Sequence, residues 1–287
     1  MTNKISVLNN RSIIEISGSD CINFLNNILT NNILNLQENE ICPSALLTPQ
    51  GKILFDFLTF IANKGHKVVY IECSKGQKNE LINKLKLYSL RQNIKINETE
   101  LITIVTNNLS DFRHVYKDVR FYKTYIGRTY LKKSEFDQKS FFHFTEDHFW
   151  YHYEKVKNCV LEGEHEVSSN KLYPFEIGMN FNNGISFEKG CFIGQEVVAR
   201  VKYKGNIKKY CCGFESLEKV SLNSQKYSKI IKNDDFDLGE IIFINNFEIN
   251  TLGFCLIKSK YLVQNDNEFK CFYNDHPLVV YKPKIIN

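Results

Sequence analysis

Apolar and polar positions alternate from Arg11 to Ser17 (RSIIEIS), the period of a half-buried strand. Gly18-Ser19-Asp20 breaks the run and supplies a helix cap, after which Cys21, Phe24, Leu25, Ile28 and Leu29 recur at helical spacing. That spacing predicts an amphipathic helix docked on a sheet. Residues 44–62 read as a hairpin, SALLT and KILFDFLTFIA flanking the turn Thr48-Pro49-Gln50-Gly51. In its second strand Lys52, Leu54, Asp56 and Leu58 share one face, opposite Ile53, Phe55 and Phe57. Asp56 is thus a lone carboxylate between leucines, either a solvated strand residue or a site residue. Val68 to Glu72 is a further strand. Leu81, Ile82, Leu85 and Tyr88 mark a helix that Arg91 ends, and residues 95–105 return as strands. The alternation predicts an α+β unit, and it is not a dinucleotide-binding fold, because no G-x-G-x-x-G follows any strand.

From Phe121 to Phe144 the pattern is strand-like and aromatic. His148-Phe149-Trp150-Tyr151-His152 then opens a helix extending toward Lys157, with Trp150 as a packing anchor. His148 and His152 stand at i,i+4 without a His-Glu-x-x-His pattern or a third ligand, so they read as helix surface. Past Gly205 the chain turns to short strands: Cys211–Phe214, Gly239–Ile244, Leu252–Ile257 and Leu278–Tyr281, with a polar, loop-rich stretch over residues 221–237. Such spacing predicts a small antiparallel barrel.

The densest chemistry lies in GISFEKGCFIGQEVVARVKYKG, Gly184 to Gly205. Gly190 and Gly194 free the backbone on both sides of Cys191. After Gly194 two periods compete. Alternation of Val197, Ala199, Val201 and Tyr203 suits a strand, whereas Val197, Val198 and Val201 share a helical face and Glu196 pairs with Arg200 at i,i+4. The helix is preferred, with Gln195 and Glu196 in its first turn. Cys191 then lies just ahead of a helix N-terminus and two residues after Lys189, both of which favour a thiolate; the plainer alternative is an inert buried thiol.

Composition changes this picture little. The 287 residues are 43% hydrophobic and 24% charged, ordinary for a globular chain long enough for two or three cores. A net charge of +5 permits an anionic partner such as a polyglutamyl tail or RNA without demanding one. The nine cysteines include no C-x-x-C, which points to a reducing compartment and away from a zinc site or a cluster held by this chain. No apolar run is long enough to span a membrane. A strand begins within a few residues of the start and Glu15 comes early, so the expected localisation is cytoplasmic.

Lys189-Gly190-Cys191-Phe192-x-Gly194-Gln195-Glu196, then Arg200, then Tyr203-x-Gly205, closely resembles the signature of the YgfZ family. Those folate-binding proteins, implicated in iron–sulfur enzyme maintenance and tRNA modification, are related to the glycine cleavage T-protein, an aminomethyltransferase. The likeness is strong over 170–206, moderate over 13–62 and weak elsewhere. It implies an α+β, T-protein-like fold of three subdomains around a central cavity. Residues 1–206 would form the folate-binding region, two interleaved subdomains splitting near 45 and 100, and residues 207–287 the C-terminal β-barrel.

The resemblance also implies site residues. Asp56 best matches the strand aspartate that faces the folate in T-proteins. Glu176, in Leu172-Tyr173-Pro174-Phe175-Glu176, matches a Pro-x-Glu element and either serves the ligand or pairs with Lys189 or Arg200, the structural role being preferred. Lys189, Gln195, Glu196 and Arg200 join the cofactor-binding set, and Cys191 is the reactive-thiol candidate. The T-protein Arg-x-Glu-Ala-Gly segment, whose glutamate binds the pterin, has no counterpart in Tyr153 to Cys159, where Glu154 is out of register. Three functions follow. The leading one is a monomeric accessory factor that binds tetrahydrofolate or another reduced folate and matures or repairs iron–sulfur client enzymes, with tRNA modification downstream. The second is a tetrahydrofolate-dependent aminomethyltransferase. The third is an RNA-binding module without catalysis, using Arg200, Lys202, Lys204, Lys208 and Lys209 beside Tyr203 and Tyr210.

Overall fold

The computed structural model describes residues 3–38, 40–61, 68–108, 112, 114–138, 144–205, 207–221, 228–231, 236–263 and 266–283. Ten strands form one mixed sheet: β1 (Asn3–Val7), β2 (Arg11–Ser17), β3 (Glu40–Leu47), β4 (Ile53–Phe60), β5 (Val68–Ser74), β6 (Lys95–Glu98), β7 (Leu101–Thr106), β8 (Tyr116–Asp118), β9 (Gly127–Lys132) and β10 (Phe144–Glu146). Their order is β10-β1-β7-β9-β8-β3-β4-β5-β2-β6. Among the described residues only the β1–β10 and β3–β8 pairs are parallel.

Helix α1 (Cys21–Ile28) buries Cys21, Phe24, Leu25 and Ile28 against Ile14, Phe55, Phe57 and Ile71 of that sheet. Eight residues are too few for a helix to stand alone, so this docking holds it; each buried Phe, Leu or Ile contributes roughly 1.5–3 kcal/mol. Helix α2 (Lys78–Tyr88) adds Leu81, Ile82 and Leu85 to the same core and stops before Arg91, whose φ is 72°. Residues 133–138 form a short helix α3 (Lys133–Gln138) where alternation alone suggested strand. Helix α4 (His148–Asn158) starts under an Asp147 cap and buries Trp150, and it ends on Cys159 in the left-handed region.

The second unit is a closed antiparallel barrel. Its strands are β11 (Lys209–Ser216), β12 (Ser228–Ile231), β13 (Asp237–Asn246), β14 (Thr251–Lys258), β15 (Glu268–Tyr273) and β16 (His276–Tyr281), ordered β11-β14-β13-β12-β15-β16. The α+β class and the antiparallel barrel both agree with the sequence reading. Within the polar 221–237 stretch, residues 222–227 and 232–235 lie outside the described residues.

Helix α6 (Gln195–Lys204) settles the competition of periods in favour of the helix. Its start is tied to the β3–β4 hairpin by two glycines. Gly194 has φ 80°, and a Cβ there would lie 2.7 Å from the Thr48 carbonyl oxygen; one on Gly51 (φ 76°) would lie 2.8 Å from Val197 Cβ. The signature therefore packs its helix N-terminus directly on the hairpin turn, and no side chain fits between.

Candidate functional site

Strand β4 delivers Asp56 to a position that is 8% exposed, so the solvated-strand alternative does not hold. Both faces of the strand are covered, which is why alternation alone did not reveal the burial. Asp56 Oδ2 accepts from the Gly163 backbone N–H at 2.9 Å, whereas Oδ1 is buried with no hydrogen-bond partner among the described residues. Gly163, with φ 74°, opens the short helix α5 (Gly163–Glu166). A Cβ on Gly163 would come within 3.1 Å of Ser74, so chain and carboxylate meet closely because the residue is glycine.

Around Asp56 lies a buried ionic network. Arg128 on β9 is fully buried; it donates to Glu72 Oε1 (2.7 Å) and Asp118 Oδ2 (2.9 Å), and its Nη2 reaches Tyr151 and Glu162. Arg120 clamps Asp118 through two nitrogens (2.9 and 2.6 Å) and also donates to Glu162 Oε1 at 2.6 Å. Arg11 donates Nε to Glu72 Oε1 at 2.8 Å, while its Nη1 is buried without a partner among the described residues. Lys155 donates to Glu166 Oε1 at 2.5 Å. Tyr130, stacked on Phe60 at 4.0 Å, donates to Glu72 Oε2 at 2.7 Å.

Five carboxylates (Asp56, Glu72, Asp118, Glu162, Glu166) thus stand against four cations (Arg11, Arg120, Arg128, Lys155). The consequences differ by carboxylate. For Asp118 and Glu162 burial pushes upward, but the neighbouring arginines overcome it and hold both below the usual carboxylate range. For Asp56 burial is the largest influence and wins over Arg11 and the Gly163 N–H, so its carboxyl is pushed up. Burial likewise raises Glu166, but Glu166 holds Lys155 at 2.5 Å, whereas Asp56 makes no ion pair among the described residues.

Asp56 faces a cleft. With Pro43, Ser44, Arg120, Ile177 and Asn182 it lines a small inner chamber. Arg120, Val160, Ile177 and Asn182 also line a second, outer chamber, whose lining includes the exposed Val119, Tyr122 and Phe181. The two chambers therefore share a wall.

The other expected residues do not converge there. None of Glu176, Lys189, Cys191, Gln195, Glu196 or Arg200 lines either chamber. Glu176 does not pair with Lys189 or Arg200; its Oε2 accepts from the Tyr173 N–H at 2.8 Å, closing a local turn. Lys189 is buried, and its ammonium donates to the carbonyls of Asn26, Leu29 (2.6 Å) and Asn31 (2.9 Å). It caps the C-terminal end of α1, where a cation suits the exposed carbonyls, although burial draws it down to about 8. Its charge is engaged there, so a pairing with the Cys191 thiol is not the role the geometry assigns it. Arg200 and Glu196 pair at 3.1 Å on the solvent face of α6. Gln195 opens that helix, and Cys191 is the one exposed thiol among the nine cysteines.

Two further points correct the sequence reading. Residues 153–159 are the end of α4 and its cap, and Glu154 there accepts from Thr124 Oγ1 at 2.7 Å. Glu162, which follows the helix, binds Arg120 of the chamber lining, and the N–H of the adjacent Gly163 meets Asp56. A Glu-Gly directly after a helix end was the available signal; an unusual left-handed cysteine cap (φ 55°) hid where the helix stops.

No family model matches the chain. A protein named iron–sulfur cluster assembly factor IBA57 homolog, mitochondrial, from Phaeosphaeria nodorum is 26% identical over 220 residues, covering 71% of this chain and 53% of its own length. The tRNA-modifying protein YgfZ of Blochmanniella pennsylvanica is 26% identical over 222 residues, covering 68% and 66%. The chain is a homologue of YgfZ and IBA57. It spans about half the length of the IBA57 relatives it matches. The glycine cleavage system aminomethyltransferase T of Bartonella henselae superposes with a TM-score of 0.73, over 99% of this chain and 86% of that one. At 10% identity that match establishes a T-protein-like fold for this YgfZ and IBA57 homologue, and the fold alone. Among the described residues no helix is long and apolar enough to cross a membrane.

Proposed function

We propose that this chain is a reduced-folate-binding accessory factor that matures or repairs iron–sulfur enzymes, including those that modify tRNA. It is read as three subdomains around the central cleft, residues 1–206 binding the folate and residues 207–287 closing one side as the barrel. The observation that carries the reading is Asp56 Oδ1, a buried carboxylate oxygen with no partner among the described residues, in the lining of the inner chamber. A buried acceptor is costly unless a donor reaches it. Tetrahydrofolate brings N–H donors on its reduced ring and at its bridging nitrogen, so the donor set fits. Asp56 would hold such an N–H, with Arg120 and Asn182 beside it.

Cys191 stands apart from that cleft, exposed and two residues from the Lys189 anchor, and is assigned the contact with client or assembly proteins. The RNA reading is weaker. Lys209 pairs with Glu240 at 2.7 Å and Lys202 lies 3.7 Å over the Phe187 ring, so part of that basic stretch is engaged within the fold. The test is complementation. In cells lacking the corresponding factor the wild-type chain restores iron–sulfur enzyme activity, whereas Asp56→Ala and Cys191→Ser do not. Given an aminomethyl-loaded lipoyl carrier and tetrahydrofolate, the purified protein releases no ammonia above background; sustained release would make it an aminomethyltransferase instead.

A further inference from the structure

The turn over residues 178–183 has two sides. Gly178, Phe181 and Asn182 line the outer chamber, whereas Asn180 and Asn183 line a separate groove that holds more open space than either chamber. The loop after α1 contributes Asn32 and Asn35 to this groove, and the stretch Ile185 to Glu188 contributes another side, with Lys202 of α6. The signature thus forms part of a cavity that no residue of the Asp56 network lines. Its sides are fixed to one another. Lys189 donates to the Asn31 carbonyl at 2.9 Å, the Asn31 amide donates to the Asn183 carbonyl at 2.6 Å, and the Ser186 N–H donates to the Thr30 carbonyl at 2.9 Å. The groove is therefore preorganised, which lowers the ordering cost of binding.

The polar groups along the groove are largely unspent. Asn180 Oδ1 is buried with no partner among the described residues. Asn35 and Asn183 are exposed, and among the described residues only their backbone carbonyls, not their side-chain amides, are hydrogen-bonded. The Asn32 side chain uses only its oxygen, for the Leu34 N–H. Lys202 is held 3.7 Å over the Phe187 ring, and among the described residues neither it nor Glu188 has an ion-pair partner. An asparagine amide offers one acceptor and two donors, the complement of a peptide unit with its N–H and C=O. Four such amides match an extended main chain, whose hydrogen bonds supply affinity while flanking groups select side chains. Nucleic acid fits less well. One cation beside one carboxylate is not a phosphate track, and the one ring in the lining, Phe187, carries Lys202 over a face and packs near Phe175.

We propose that this asparagine-lined groove binds an extended peptide segment of a partner protein, its main chain on the amides, an acidic side chain at Lys202 and a basic one at Glu188. The site is separate from the cleft and does not rest on the folate reading. Cys191 lies three residues beyond Glu188, so a partner seated in the groove docks on the side of the molecule that carries the exposed thiol. Exposed ion pairs are individually weak, so the two charges set the direction of the segment and the amides supply most of the affinity.

The test pans a phage-displayed library of random heptapeptides on the whole chain, without folate. Enriched peptides are resynthesised and titrated by fluorescence anisotropy into the wild type, Asn35→Ala/Asn183→Gly, Lys202→Gln and Lys202→Arg. Glycine at 183 accepts the φ of 60° there and keeps the carbonyl that Asn31 holds, and thermal melting checks that each variant is folded. The peptides should carry an acidic and a basic residue toward opposite ends. The double variant loses two hydrogen bonds and should bind them on the order of tenfold more weakly. Lys202→Gln should weaken binding by about threefold, and Lys202→Arg should restore it. Absence of any enriched peptide, affinities unchanged in the double variant, or displacement of the peptides by a single-stranded oligouridylate would overturn the peptide groove. The folate reading would survive each of these results, because no folate enters the titration.

Discussion

Replacing Asp56 with asparagine separates what the cleft does for the fold from what it does for a ligand. The substitution keeps an acceptor for the Gly163 N–H and removes the fifth carboxylate from a network of four cations. An unpartnered buried atom costs about 1–3 kcal/mol and more when charged; the asparagine Nδ2 in its place is unpartnered but neutral, and the lost attraction to Arg11 offsets part of that difference. Asp56→Asn should therefore stabilise the free protein by about 1 kcal/mol at neutral pH. The sign with pH follows from the raised carboxyl. A folded value above the unfolded one contributes stability that is fully present below the unfolded range near 4 and is lost as pH rises through the folded value. Between the unfolded range and the raised folded value the wild type therefore loses stability as pH rises, and the asparagine variant does not. Urea denaturation from pH 4 to pH 8 should show the variant's advantage growing with pH. Its affinity for tetrahydrofolate should fall at least about tenfold. If Asp56→Asn instead destabilises equally at every pH, Asp56 is a structural member of the network and the reasoning fails.

Further outcomes follow from the same network and from the signature. Arg128→Met leaves Glu72, Asp118 and Glu162 without their shared partner, and chemical denaturation should record a loss of about 3–5 kcal/mol. Lys189→Met strands three carbonyls at the end of α1 and should cost about 1–3 kcal/mol, with hydrogen exchange at α1 amides rising first. Cys191 should alkylate far ahead of the other cysteines at pH 7, read by mass spectrometry. Burial raises Cys42 to about 11 and Cys73 to about 12, and two units above the ordinary 9.0 removes about 99% of the thiolate that reacts. Labelling of Cys42 before Cys191 would contradict that order.

The sequence carried the scaffold better than the cleft, for physical reasons that particular residues show. The hairpin turn, α1, α2 and the barrel strands rest on periodicity and turn chemistry, which are local. Helix α6 was legible only because the Glu196–Arg200 spacing broke a tie that alternation left open. Asp56 stood out as a carboxylate among leucines, yet its burial depends on layers contributed by distant segments. The network was harder still: Glu72, Asp118, Arg128 and Glu162 come from separate elements, and each alone looks like a charged residue at a strand or loop edge. Glu72, set inside the apolar run VVYIECS, was the clearest single clue. The signature motif drew attention to Lys189, Glu196 and Arg200, whose observed contacts anchor α1 and decorate the surface of α6.

The most direct test is a calorimetric titration of the purified chain with tetrahydrofolate, repeated on Asp56→Ala. The account predicts one binding site per chain with micromolar or tighter affinity, lost or weakened at least about tenfold by the substitution. Undiminished binding to Asp56→Ala, or no heat of binding to the wild type, would contradict it.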